Sequence, residues 1–134
     1  MPDTPSQFDW VTARSKCSLQ VVFKELHDGV QNDVATANAV ASRNGQIRFA
    51  VTTLQQRRFS VVREDGQIPE SVEFSLERTG IILVRYTEQD KTLQAGISFN
   101  PDGSCMITLD GKELYQWQFR RMALERLFFA PPSG

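Results

Sequence analysis

The sequence predicts an α+β fold: a long N-terminal helix packed on a curved antiparallel meander of about seven strands, closed by a short C-terminal helix. Three observations predict it. Apolar residues between Ser18 and Ala41 recur at spacings of three and four. From Gln46 onward the period becomes two. Turn-forming pairs and triplets then divide the rest of the chain into short segments.

The helix carries Leu19, Val22, Phe23, Leu26, Val30, Val34, Ala37, Val40 and Ala41 on one face, the stripe a helix needs to cover a sheet. Ser18 suits the N-cap and Asn44-Gly45 the stop. About 24 residues at 1.5 Å each span roughly 36 Å, against a sheet roughly 30 Å wide for seven strands. Gly29, in the middle of the helix, costs about 1 kcal/mol relative to alanine and marks an expected bend.

Each strand follows from alternation. "IRFAVTT" sets Ile47, Phe49 and Val51 against Arg48, Ala50 and Thr52, and "RRFSVVRE" follows up to a turn at Asp65-Gly66. "SVEFSLE" places Val72, Phe74 and Leu76 opposite Ser71, Glu73, Ser75 and Glu77. Arg78-Thr79-Gly80 turns into "IILVRY", "TEQDK" into "LQAGISF", and "NPDG" into "SCMITL". Asp110-Gly111 is a two-residue hairpin signal. In "KELYQWQF", Tyr115, Trp117 and Phe119 alternate with Leu114, Gln116 and Gln118, which predicts a seventh strand. "RRMALERLFF" returns to helical spacing through Ala123, Leu124, Leu127 and Phe128. A small seven-stranded barrel capped by the last helix, resembling the pleckstrin-homology superfold, is the alternative. The long leading helix argues against it, and fold likeness alone transfers no function.

The chain of 134 residues fits a single domain, 1–134, with 1–9 as a flexible lead-in and 130–134 as a flexible tail. A net charge of −1 with interleaved basic and acidic residues gives no nucleic-acid footprint and no polybasic membrane patch. The N-terminal stretch lacks the pattern of a signal peptide, and no apolar run approaches a membrane span. Cys17 and Cys105 are too few for a zinc site or a disulfide framework. They read as reduced, packed thiols of a cytoplasmic protein, with one bridge from the N-terminal region to a late strand as the alternative.

Catalytic motifs are absent from the sequence, and no metal or cofactor is expected. His27, the single histidine, falls among Lys24, Asp28 and Gln31 and reads as exposed. Asp33 is the exception among the carboxylates, because the helical wheel sets it between Leu26 and Val40, close to Ala37. A shielded carboxylate needs a partner or its pKa rises, so Asp33 is the first candidate for a site. A phase shift at Gly29, or a second helix capped by Asn32 or Asp33, are the structural alternatives. Arg120 and Arg121 stand where the closing helix begins, against its dipole. They read as solvated, with relief available from Glu125 one turn on or from a distant carboxylate.

Three functional classes follow, in this order. A non-enzymatic protein-interaction module, a homodimer, uses apolar surface on the second sheet face, to which "IILVRY", Val62, Met106 and the row Tyr115, Trp117 and Phe119 contribute. A carrier of a small apolar ligand uses a cavity between sheet and helix, lined from nine phenylalanines and two tryptophans. An enzyme has its site near Asp33. The binding candidates are therefore Asp33, Tyr115, Trp117, Phe119, Arg120 and Arg121.

Overall fold

Helical and extended periodicities separate in space as they do in sequence. The computed structural model describes residues 8–41, 47–64, 70–87 and 91–130. Two helices come first, α1 (Trp10–Lys16) and α2 (Leu19–Ala41). Seven strands follow: β1 (Arg48–Gln55), β2 (Arg58–Glu64), β3 (Glu70–Leu76), β4 (Ile82–Tyr86), β5 (Thr92–Phe99), β6 (Cys105–Leu109) and β7 (Lys112–Leu114). Helix α3 (Gln116–Phe129) closes the chain. The strands pair antiparallel in sequence order, β1 to β7, as one open sheet. The fold is the α+β arrangement that the periodicities predict, and not a closed barrel. The expected stops at Asn44-Gly45 and Asp65-Gly66, most of the "TEQDK" turn, residues 1–7 of the lead-in and the tail from Pro131 lie outside the described residues.

Register puts the apolar side chains on one face. Directly paired residues point to the same side, so Val51, Val61, Val72 and Tyr86 form one row across β1 to β4. Leu76, Ile82, Ala95 and Leu109 form another across β3 to β6. Against this face α2 packs Val22, Phe23, Leu26, Val30 and Val34. Phe23, Phe59 and Phe74 follow one another at ring distances of 5.4 and 4.9 Å. Ser18 accepts a hydrogen bond from the Val21 amide at 3.2 Å, capping α2 where the sequence predicts it. The β6–β7 hairpin turns at Asp110 (φ 52°) and Gly111 (φ 78°), and two adjacent positive φ values are what a tight turn of matching twist requires.

Four expectations are corrected. Residues Tyr115 to Phe119 do not continue a seventh strand. β7 ends at Leu114, and the Gln118 side chain reaches back to accept a hydrogen bond from the Tyr115 amide at 2.9 Å, which starts α3 at Gln116. The second sheet face is not broadly apolar. Two of its rows read Thr52, Ser60, Glu73, Arg85 and Arg58, Ser75, Leu83, Gln94, while Val62 and Met106 do face this way, paired with Ala50 and Ser71 and with Ser98. Only Leu83 of "ILV" faces that way, and both α2 and α3 pack into the cluster on the other side.

The cysteines are not free thiols. Cys17 and Cys105 form a disulfide that ties the α1–α2 junction to the start of β6, with Cα atoms 5.5 Å apart. Lastly, His27 is half-buried and stacks on the ring of Phe59 in β2 at 4.3 Å. Helix α1 lies just past the expected lead-in of residues 1–9, in a stretch for which no element was predicted. Asp9 caps it, accepting from the Thr12 amide at 3.1 Å and the Thr12 hydroxyl at 2.6 Å, and these bonds hold the Asp9 carboxyl below its ordinary pKa.

Candidate functional site: a groove between two helices

The second half of α2 presents Asp33, Thr36, Ala37 and Val40 at helical spacing on one face. Across from it α3 presents Trp117, Arg120, Arg121, Leu124, Glu125, Phe128 and Phe129. Ile47 and Phe49, at the head of the sheet, close the bottom. Together these residues line an open groove of about 620 Å³.

Each wall is fixed by a polar contact. Asn38 on α2 donates to the Phe49 carbonyl and accepts from the Phe49 amide, both at 2.8 Å. Those two bonds satisfy an edge strand's backbone and set β1 against α2. Arg63 points inward from β2, is buried, and donates from Nη1 to the Leu127 carbonyl at 2.8 Å. That carbonyl lies in the last turn of α3, where a cation is favoured. Phe128 meets Phe49 edge-on at 4.9 Å and forms the floor with Leu124.

The wall between the helices is an ion pair. Arg120 Nε donates to Asp33 Oδ2 at 2.7 Å, with the two side chains only 19% and 34% exposed. Gly29 makes room for it. A Cβ at that position would stand 2.5 Å from Arg120 Nη1 and 2.9 Å from Cζ, so a mid-helix glycine lets the guanidinium lie directly on the α2 backbone. Helix α2 runs unbroken through Asn32 and Asp33, which removes the reading of either as the cap of a second helix. Beside this pair Arg121 grips Glu125 one turn on, at 3.1 and 3.3 Å, in the open. Arg120 is therefore not the solvated charge expected from the sequence, whereas Arg121 is exposed and takes the relief expected from Glu125.

The predicted residues thus divide. Asp33, Trp117, Arg120 and Arg121 line the groove together. Phe119 is fully buried beneath α3, and Tyr115 sits exposed at the helix start away from the groove. Sequence reasoning missed Val40, Phe49, Glu125 and Phe129. Val40 follows Asp33 by seven residues, on the same face of α2, and Glu125 and Phe129 follow Arg121 by four and eight along one ridge, a signal that could be read only once α3 was known to begin at Gln116.

Chemically, the groove is apolar with paired charges. Its two carboxylates, Asp33 and Glu125, each hold an arginine. Thr36 supplies the one hydroxyl among the described lining residues, with no histidine or cysteine beside it. Around the rim, Val40, Trp117 and Phe129 are 58%, 55% and 75% exposed. No protein-family model, curated protein or solved structure matches this chain. Among the described residues no helix is long and apolar enough to cross a membrane.

Proposed function

We propose that this protein is a non-enzymatic protein-interaction module whose working surface is the groove between α2, α3 and β1. The observation that carries the reading is convergence: Val40, Trp117 and Phe129, three large exposed apolar side chains, surround one floor of Phe49, Leu124 and Phe128. Exposed apolar area collected in one place, with aromatic and arginine side chains at its edge, is the composition of an interface centre. Both groove carboxylates are paired with arginines, which weighs against the enzyme reading near Asp33. The Cys17–Cys105 bridge favours an oxidising compartment over the cytoplasmic one that reduced thiols imply.

The carrier of a small apolar ligand stays as a second reading on one observation: about 620 Å³ lies within the usual size range of ligand pockets. A Trp10→Phe variant leaves Trp117 as the sole tryptophan and a reporter at the rim. Its emission and anisotropy are followed on adding amphipathic helical peptides, a C12 fatty acid, or more of the chain itself. Saturable response to polypeptide supports the interaction module. Stoichiometric response to the fatty acid alone supports the carrier, and silence to all three overturns both.

A further inference from the structure

We propose that the partner in this groove is a second copy of the same chain, docked α3 against α3 in antiparallel orientation. The proposal rests on the interaction reading above and names its partner. It comes from the order of side chains along the exposed ridge of α3. Trp117, Arg121, Glu125 and Phe129 follow at intervals of four, all four are exposed, and all four line the groove. The two outer members and the two inner members share one midpoint, Ala123.

A ridge of that order is its own complement. In a twofold interface each contact occurs twice, residue i of one copy on residue j of the other and the reverse. With the axis beside Ala123, Trp117 of each copy meets Phe129 of the other, and Arg121 of each copy meets Glu125 of the other. The two exposed bridges within the helices then join into a ring of alternating charge, flanked by two aromatic pairs. Parallel docking would set Arg121 on Arg121 and Glu125 on Glu125, so the charge order selects the antiparallel arrangement. Ridges of period four pack into one another at a crossing angle of about 50°, which leaves the Val40 rim of each groove free to receive the other copy's aromatic end. Arg120 and Asp33 stay paired within each copy and hold the ridge outward.

The area sets the strength. The ridge and Val40 offer roughly 500 Å² per copy, short of the about 800 Å² of a standard stable interface. The dimer is therefore reversible and concentration-dependent, with its charges deciding the partner.

Sedimentation over roughly 1 to 300 μM tests it on the full chain. Wild type is expected to pass from monomer to dimer across that range. Arg121→Glu and Glu125→Arg, each reversing one exposed charge, are expected to weaken self-association at least about tenfold with unchanged circular dichroism. Mixed in equal amounts, the two variants are expected to form a heterodimer of near wild-type affinity, since one ridge then carries two carboxylates and the other two guanidinium groups. Wild type that stays monomeric throughout overturns self-pairing. So does a dimer indifferent to both reversals, or a mixture that does not associate. If wild type is monomeric but the Trp117 emission of the Trp10→Phe variant still answers to a helical peptide, the interaction reading is retained and only the self-partner is lost; no answer to anything loses both.

Discussion

α2 and α3 lie on the same sheet face, yet they distribute their apolar residues in opposite ways. α2 buries Val22, Phe23, Leu26, Val30 and Val34, and among its described large apolar side chains only Val40 is exposed. α3, at 14 residues little more than half as long, buries Phe119, Ala123, Leu124 and Leu127 but exposes Trp117, Met122 and Phe129. A helix with one apolar face needs only its own sheet. α3 also exposes apolar side chains among Arg121, Glu125 and Arg126 on its outward side, the surface on which the proposed partner would dock.

Phenylalanines at both positions make the comparison breakable. Phe119 is fully buried and Phe129 is 75% exposed. Phe119→Ala is expected to lower stability by about 3–5 kcal/mol, through lost burial and the cavity left behind. Phe129→Ala is expected to stay within about 0.5 kcal/mol for the monomer. Urea unfolding at low protein concentration measures both. Similar losses at the two positions would mean that the outward side of α3 also belongs to the core.

The two helices also differ in how their ends are held. The N-terminal end of α2 is tethered covalently through Cys17 to Cys105, across a sequence separation of 88. Closing so long a loop restricts the unfolded chain, and Cys105→Ser is expected to cost about 2–4 kcal/mol. Thermal unfolding with and without reductant checks it. A melting temperature indifferent to reductant would show α2 to be held by its apolar stripe alone.

α3 has no such tether; its polar contacts with α2 are the pair Arg120–Asp33 and the hydrogen bond from Gln116 to Glu25 at 3.0 Å. Asp33→Ala leaves a largely shielded guanidinium without its anion. The expected loss is about 1–2 kcal/mol, moderated because Asp33 is a third exposed. Asp33→Asn keeps an acceptor oxygen and is expected to lose less. Equal, negligible effects for both substitutions in chemical denaturation would reduce the pair to surface decoration.

How much of this was legible in the chain follows the same contrast. α2 was readable because its apolar residues keep one period and face one way. The strands were readable from alternation, and the last hairpin from Asp110-Gly111. α3 misled because Tyr115, Trp117 and Phe119 alternate like a strand, while Phe119, Ala123, Leu124 and Leu127 step like a helix. Local alternation cannot decide between them; the bond from the Tyr115 amide to Gln118 does. Asp33 stood out on the helical wheel. Its partner lay 87 residues away, and nothing in a single sequence registers such a pairing. The Cys17–Cys105 bridge was the alternative to two reduced thiols, and sequence spacing had no means of ranking it first. Arg63 was a signal left unused, since its parity with Phe59 and Val61 already pointed it inward.

The smallest expected effect is the sharpest probe of where the helices touch. Glycine inside a helix costs about 1 kcal/mol relative to alanine, so Gly29→Ala on an isolated α2 would stabilise it. Here the added methyl would stand 2.5 Å from Arg120 Nη1. The guanidinium is the far end of a flexible side chain and can move, but moving takes it off Asp33. The propensity gain and the lost ion pair then oppose each other, and Gly29→Ala is expected to be close to neutral in the wild-type background. In an Arg120→Ala background the obstruction is gone, and the same substitution is expected to stabilise by about 1 kcal/mol. The difference between backgrounds is the coupling energy of a double-mutant cycle, read from denaturation midpoints. Equal stabilisation in both would mean that Arg120 does not lie on the α2 backbone in solution, and Gly29 would need another reason to stand in the middle of α2.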